Sequence, residues 1–535
     1  MTASSQGPAA PDDTRAEIDS IASIVRVHAA ARPDHPALIA GDQVRTWGEL
    51  RGRAGQVANA FIAEGVASQD RVAFCDRNGL EHFDVTYGAA MANAVVVALN
   101  WRLAPPEMAA VLNDAGAKVL VVGPDFFGHV EAIADRLTTV TRIVAIGDHP
   151  RWVGFEDWIG SQPATDPLVP TGPGDVCMQL YTSGTTGLPK GVMITNANFI
   201  TLVGNIVDDW DFDADSVDLV AMPLFHIGGC GWAIVGMYRG GSSVVVRDFV
   251  PDQILDVLVE RGITNALLVP AMLQVLTMVP GAAERQYPAL RAVNYGASPI
   301  TTATLTASMR TFRCPHRQVY GMTETTGVIT RLAPEDHDPD GPREHLLRSA
   351  GRPYPWVELR IVDLERGREC EPGEVGEVVC RSGQNMLGYW NQPDETARTV
   401  DADGWLHTGD AGYLDAEGYL FLTDRVKDMI VSGGENVYPT EVENALATHP
   451  AVAEVAVIGV PHERWGETVK AVVVLRSGHA ATAPELMAHA KSLVAGYKCP
   501  TSIDFADALP RNPSGKVLKK DLRAPYWERR SRNVN

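Results

Sequence analysis

Asp70–Asn100 reads DRVAFCDRNGLEHFDVTYGAAMANAVVVALN. Its ends, RVAFC and VVVAL, are short apolar runs rich in valine, whereas the middle, EHFDVTYGAAMANA, is longer and helix-like. Strand, helix and strand in so short a span make a βαβ unit, and its crossover leaves the two strands parallel. The same texture extends both ways. Upstream, HPALIAGD (His35–Asp42) precedes TWGELRGRAGQVANAFIAEG (Thr46–Gly65), where apolar residues recur every three or four positions and Thr46 stands where a helix cap belongs. Downstream, PPEMAAVLNDAGA (Pro105–Ala117) leads into KVLVVGP (Lys118–Pro124). From about Pro33 to Val250 this alternation predicts an α/β fold with largely parallel sheets.

After about Ala350 the texture changes. RPYPWVELRIVD (Arg352–Asp363), GEVGEVVCRS (Gly373–Ser382) and GYLFLTD (Gly418–Asp424) read as short strands between Gly and Asp turns, a β-rich subdomain. Beyond LTDRVKDMIVSGGENVYP (Leu422–Pro439) comes a separate unit. It holds strand-like VAEVAVIGVP and VKAVVVLRS, the helix-like APELMAHAKSLVAG, and SIDFADALP. A domain boundary is therefore expected between Asp424 and Lys427, followed by a small α+β domain.

The chain has 535 residues, 45% of them apolar and 21% charged, which is globular composition and too long for one ordinary domain. The nearest thing to a membrane-spanning run, Ala89–Trp101, is short and holds Asn93 and Asn100, so no integral membrane contact is expected. The first residues, MTASSQGPAAPDDTRAE, lack the basic and apolar regions of a secretory signal and read as a disordered tail over 1–17. Seven cysteines, widely scattered and without a CxxC pair, argue for reduced thiols, against a structural zinc site, and for the cytoplasm. A net charge of −20 disfavours nucleic acid and anionic membranes as partners. An anionic ligand must then be held by local groups. A homodimer is compatible with this composition.

One such local group is YTSGTTGLPKGV (Tyr181–Val192). Glycines let backbone N–H groups approach a phosphate, hydroxyls add donors, and Lys190 adds a point charge. The Walker pattern fails, because Lys190 follows Pro189 and precedes Gly191. On composition alone, a phosphate cradle and a solvated Gly/Ser/Thr turn both remain open.

The loop resembles the phosphate loop of the adenylate-forming superfamily, which comprises acyl-CoA synthetases, adenylation domains of peptide synthetases and firefly luciferase. Further motifs of that superfamily follow in order: PLFHIGG (Pro223–Gly229), YGAS (Tyr295–Ser298), YGMTE (Tyr320–Glu324), WLHTGD (Trp405–Asp410), DRVKDMIVSGGENVYPTEVE (Asp424–Glu443) and PRNPSGK (Pro510–Lys516). The resemblance spans about Ile24 to Leu522, and is nearest to bacterial fatty or aryl acid CoA ligases.

The resemblance implies a large N-terminal domain (18–424), a hinge (425–429) at Lys427, and a small mobile C-terminal domain (430–535). It implies ATP, Mg²⁺ and coenzyme A as cofactor and co-substrates, and a small hydrophobic carboxylic acid as substrate. Thr182, Ser183, Gly184, Thr185, Thr186, Gly187 and Lys190 would hold the β- and γ-phosphates. Tyr320 and Gly321, with Gly296, Ala297 and Ser298, would bind adenine. Thr323 would donate to the α-phosphate and Glu324 would ligate the metal. Asp410 would accept the ribose hydroxyls, with Arg425 nearby. Lys516 would bridge the carboxylate and the α-phosphate. His226, Gly228, Gly229, Trp232, Met322, Val328 and Ile329 would line the acyl pocket. There Gly228, Gly229 and Gly231 are expected to make room by lacking side chains. Ser432, Gly433, Gly434, Glu435 and Asn436 would pass the pantetheine arm. The implied activity is AMP-forming acyl-CoA synthesis, with acyl transfer to a carrier protein, an amine or a partner enzyme as the alternative.

Overall fold

Asp70–Asn100 folds as strand Arg71–Cys75, helix Leu80–Met91 and strand Val95–Ala98, with Arg71 opposite Val95 in a parallel register. The two strands are buried over Val72–Cys75 and Val95–Ala98, so both of their faces are covered, as a continuous apolar run demands. Helix Trp47–Ala63 begins where Thr46 Oγ1 accepts from the Glu49 N–H at 3.2 Å. The Glu49 carboxylate accepts from the Thr46 N–H at 2.8 Å, a reciprocal capping box.

This computed structural model describes residues 17–182, 189–364, 366–425, 428–432, 435–462, 465–511 and 517–527. By backbone proximity the chain divides into two units. One runs to Glu358 and includes Cys380–Leu406; the other comprises Leu359–Val379 and the residues from His407 onward.

The first unit is built on two large sheets. The eight-stranded sheet runs Gly388–Tyr389, Lys190–Thr195, Val176–Thr182, Val95–Ala98, Arg71–Cys75, Ala117–Val122, Arg142–Ala145, Val153–Gly154. It is parallel from Val176–Thr182 onward and ends at the other edge in antiparallel pairs. In the nine-stranded sheet the parallel centre holds Ala292–Gly296 beside His316–Met322, and the latter turns back into the antiparallel strand Gly327–Leu332. An apolar core of Leu219, Leu255, Leu268, Tyr295 and Leu305 fills one face of this sheet. Each such side chain, fully buried, contributes about 1.5–3 kcal/mol.

In the second unit, strands Leu406–Leu414 and Leu420–Arg425 pair antiparallel within a four-stranded sheet. A five-stranded sheet carries the long hairpin Val452–His462/Gly466–Leu475, with helices Pro439–Ala447 and Ala483–Lys491 beside it. Val442, Leu446, Val457, Val473 and Leu486 form its core. The architecture is the expected mixed α/β fold with a larger N-terminal and a smaller C-terminal part. Among the described residues no helix is long and apolar enough to cross a membrane.

Candidate active site

Strand Val176–Thr182 ends at the hydroxyl-rich loop, and the chain returns as strand Lys190–Thr195 with Lys190 opposite Thr182. The residues between, Ser183, Gly184, Thr185, Thr186 and Gly187, lie outside the described residues, but the hairpin fixes both ends of the loop. Lys190 is only 7% exposed. A buried ammonium needs a counter-charge, and Glu395 supplies it through an ion pair. Glu395 lies in the first turn of helix Pro393–Thr399. The hydrogen bond from Lys190 holds its carboxyl below the usual range, against partial burial, which acts the other way.

The second element is the turn after strand His316–Met322. Thr323–Thr325 forms one tight helical turn, Thr326 adopts a left-handed φ of 53°, and the chain reverses. Thr325 closes the reversal, its Oγ1 accepting from the Met322 N–H at 3.0 Å. A Cβ on Gly321 would lie 1.9 Å from the Gly327 carbonyl oxygen, so only glycine permits this closure. The reversal buries Glu324 at 6% exposure. Its Oε1 accepts from the Tyr389 hydroxyl at 2.9 Å, and Thr182 Oγ1 stands 3.4 Å away. Thr182 and Tyr389, from separate stretches of sequence, thereby meet at the Glu324 carboxylate.

Tyr389 sits on the two-residue strand Gly388–Tyr389, which pairs with Val192 and Met193 beside the loop. Its ring lies 5.0 Å below the Lys190 ammonium, a cation–π distance. Burial and the Glu324 carboxylate push its hydroxyl above the usual phenol range, so the proton stays on the tyrosine and it is the donor. Trp390 anchors the same segment. Its N–H donates to Gly191 O at 2.8 Å, its indole N–H to Asp114 O at 2.9 Å, and the Arg71 guanidinium stacks 3.4 Å from its ring. Neither Tyr389 nor Glu395 was among the residues expected from the sequence. The helix-start pattern Pro393-Asp394-Glu395 was the available signal.

Gly296, Ala297 and Ser298 leave the C-terminal end of strand Ala292–Gly296, beside the strand carrying Tyr320 and Gly321. Ligands bind at such strand ends in parallel α/β sheets. Ala297 holds a left-handed φ of 65°, and Ala297 and Ser298 are exposed while Tyr320 and Thr323 are half-buried. On the other unit, Asp410 and Arg425 stand opposite each other in the antiparallel pair, which brings both expected ribose contacts side by side on the backbone. The strand start is tied by Thr408 Oγ1, donating to Val378 O at 2.7 Å, and by the Gly409 N–H, donating to Glu377 at 3.0 Å. Ser432 pairs with Glu435 in the antiparallel strands Ile430–Ser432 and Glu435–Val437. Gly433, Gly434, Lys427 and Lys516 lie outside the described residues, as do the side chains of Arg425, Glu435 and Asn436.

His226 precedes helix Ile227–Tyr238. Burial lowers its pKa to about 4, helped by the Arg102 charge, so the imidazole is neutral near pH 7. Its Nε2 is buried with no hydrogen-bond partner among the described residues, and the Phe225 ring lies tilted against it at 4.6 Å. Met322 and Val328 are half-buried and Ile329 fully buried. Two of the expected wall residues have another explanation. At Gly229 a Cβ would lie 2.1 Å from the Pro223 carbonyl oxygen, so this glycine lets backbone approach backbone and frees no volume for a ligand. Trp232 is a core residue: its indole N–H donates to Leu219 O at 3.0 Å, and its ring packs on Trp210 and Phe212. Gly228 and Gly231 instead face side-chain atoms of Met222 and Ile227.

Among the described residues no cluster of three or more His, Cys, Asp or Glu could cage a metal. One buried carboxylate suits Mg²⁺, which keeps waters and takes its remaining oxygens from phosphate. Glu324 fits that role.

Comparison with known proteins identifies the family. The family model described as AMP-binding enzyme matches residues 25–390, and that of the AMP-binding enzyme C-terminal domain matches residues 441–516. The chain is 39% identical to fatty acid–[acyl-carrier-protein] ligase ScoC of Streptomyces coeruleorubidus, over 97% of this chain and 99% of that one. It is 38% identical to the medium/long-chain-fatty-acid–CoA ligase FadD8 of Mycobacterium tuberculosis, over 93% and 89%. Among solved structures, ATP-bound MatB from Rhodopseudomonas palustris superposes with a TM-score of 0.84 at 30% identity, over 94% of this chain and 99% of that one.

Proposed function

Since the chain belongs to the AMP-binding enzyme family, we propose that it is an ATP-dependent acid–thiol ligase joining a hydrophobic carboxylic acid to coenzyme A through an enzyme-bound acyl-adenylate. The observation that carries this reading is the Glu324 carboxylate, approached by Thr182 and bonded by Tyr389, whose ring lies under the Lys190 ammonium. A cation, a hydroxyl and a lone buried carboxylate are what a metal-bound triphosphate requires.

In the first half-reaction an oxygen of the acid bonds to the α-phosphorus while the bridge to the β-phosphate breaks, and the electron pair leaves with pyrophosphate. Lys190, Thr182 and the loop 183–187 take up the charge of the leaving group. Thr323 donates to the α-phosphate, Tyr320 and Gly296–Ser298 hold adenine, and Asp410, with Arg425 opposite, holds the ribose. Glu324 would hold Mg²⁺, which would supply further neutralisation of the triphosphate. Lys516 offsets the charge that builds between the two approaching anions. In the second half-reaction the domain carrying Lys516 turns about Lys427 and presents the Ser432–Asn436 turn. The thiol of coenzyme A loses its proton to solvent, its sulfur attacks the acyl carbonyl, and AMP departs. His226, being neutral, brings no charge to an apolar acyl pocket, and its unpartnered Nε2, a donor or an acceptor according to the tautomer, is left for a polar group of the substrate.

Carboxylate-dependent exchange of labelled pyrophosphate into ATP, run with fatty, aryl and polycyclic acids and followed by thioester detection, tests both halves. Absence of exchange with every acid overturns the reading. A second acceptor has specific support in the similarity to ScoC, whose name gives an acyl carrier protein. Exchange without a coenzyme A thioester at saturating thiol, but with acylation of a phosphopantetheinylated carrier protein, would favour it.

A further inference from the structure

Tyr389 makes contact with both charged groups assigned to the triphosphate, although it comes from neither motif. Its hydroxyl donates to Glu324 Oε1 at 2.9 Å, and its ring lies 5.0 Å from the Lys190 ammonium. It is itself 6% exposed. The backbone beneath it is fixed from two directions: it pairs opposite Val192, and its N–H donates to Thr396 Oγ1 at 2.9 Å. A phenol held in this way has little freedom to follow its partners, so the partners are set by it.

We infer that Tyr389 is a positioning residue for adenylation: it orients the Glu324 carboxylate towards the metal of the metal–ATP complex and sets the spacing between that carboxylate and the Lys190 cation. This rests on the proposed ATP-dependent reading. A carboxylate has two nearly equivalent oxygens. A hydroxyl donating to Oε1 fixes that oxygen and limits rotation of the group about its last bond, so the orientation offered to a cation is set by the tyrosine. Second-layer hydrogen bonds of this kind tune metal affinity by about 10- to 100-fold. The aromatic face holds the ammonium over the same centre, while Glu395 holds it from the side.

The test separates the hydroxyl from the ring. ATP binding is measured by calorimetry on the whole protein, once in EDTA and once with Mg²⁺, and Mn²⁺ binding to the ATP complex is followed by its electron paramagnetic resonance signal. For Tyr389→Phe, ATP affinity in EDTA stays near wild type, while the tightening given by Mg²⁺ and the Mn²⁺ affinity both fall about tenfold. For Tyr389→Leu, affinity in EDTA falls as well, because Lys190 loses its support. A purely structural tyrosine would lower the melting temperature in both variants and leave the ratio of affinities with and without metal unchanged; that result overturns the inference. If wild-type protein binds no ATP under either condition, the underlying functional reading fails instead.

Discussion

Lys190 and Glu395 form an ion pair beside the hydroxyl-rich loop, bringing together residues on strand Lys190–Thr195 and helix Pro393–Thr399. The pair keeps a nearly buried ammonium charged, but also sets a carboxylate where phosphates must arrive. Replacing Glu395 by Gln removes the negative charge and keeps an oxygen for the ammonium. If the pair is worth about 1 kcal/mol, the KM for ATP in pyrophosphate exchange falls about fivefold at low salt. A rise in KM would mean that Glu395 chiefly holds Lys190 in place.

The fold was legible because its signals are local. Valine-rich runs alternating with helix-length segments report parallel strands, and Thr46 with Glu49 marks a helix start by spacing alone. The expected site residues at the loop ends, in the YGMTE turn and on the Asp410 strand were singled out for a related reason: each motif is contiguous. Tyr389 and Glu395 were not. Their contact with Lys190 depends on pairing of Gly388–Tyr389 with Val192 and Met193, almost two hundred positions earlier, which no local pattern encodes. Gly229 shows the complementary limit, since a glycine that opens space and one that admits a carbonyl look alike in sequence.

Asp218 predicts a stability that falls as pH rises. Its carboxyl is 1% exposed, Oδ1 accepts from Ser243 Oγ at 2.7 Å, and Oδ2 is buried without a hydrogen-bond partner. Burial raises its pKa to about 8 from 3.8 in the unfolded chain. The folded state therefore keeps a proton that the unfolded state has lost between these values. The stabilisation is complete below about pH 4, declines through the window, and is gone above about pH 8. Asp218→Asn cannot ionise, so its melting temperature relative to wild type is higher at pH 8 than at pH 5. An equal offset at both would show that Asp218 is ionised in the fold.

Buried histidines act with the opposite sign. Burial lowers His28, His226, His316 and His337 to about 4 and His82 to about 3, from 6.5. Between those values the unfolded state takes protons that the folded state refuses, so stability is lost as pH falls from about 6.5 towards 4. His82 packs edge-on to Phe74 at 4.9 Å. His82→Leu removes one such proton, and the slope of unfolding free energy against pH between 5 and 6 becomes shallower by up to about 1.4 kcal/mol per pH unit. Urea titrations at three pH values measure it.

The glycines of PLFHIGGCG make separable predictions. A methyl group at Gly229 meets the Pro223 carbonyl, which also accepts from the His226 N–H at 3.1 Å. Gly229→Ala must push helix Ile227–Tyr238 away, at a cost of about 1–3 kcal/mol. A methyl group at Gly228 lies 3.4 Å from the flexible end of Met222, an ordinary contact. Gly228→Ala therefore keeps the wild-type melting temperature within the error of a scan, and any effect it has appears in the choice of acid. Thermal melts of both variants, with exchange rates across an acyl chain series, distinguish packing from pocket volume.

Lys190 and Lys516 divide the work of the two cations. Lys190 stands at the end of the loop that would hold the departing pyrophosphate, so its contribution is made to bound ATP as well as to the transition state. Lys190→Ala should raise the KM for ATP and lower kcat. Lys516 would meet charge that develops only as the carboxylate reaches the α-phosphorus, and electrostatic groups of that kind are worth about 10²–10³ in kcat. Lys516→Ala should therefore lose acid-dependent pyrophosphate exchange by that factor while its KM for ATP stays close to wild type. The second half-reaction involves no pentavalent phosphorus. Supplied with synthetic acyl-AMP and coenzyme A, Lys516→Ala should form thioester at near the wild-type rate. Equal losses in both half-reactions would place Lys516 in the fold of the small domain, outside the chemistry.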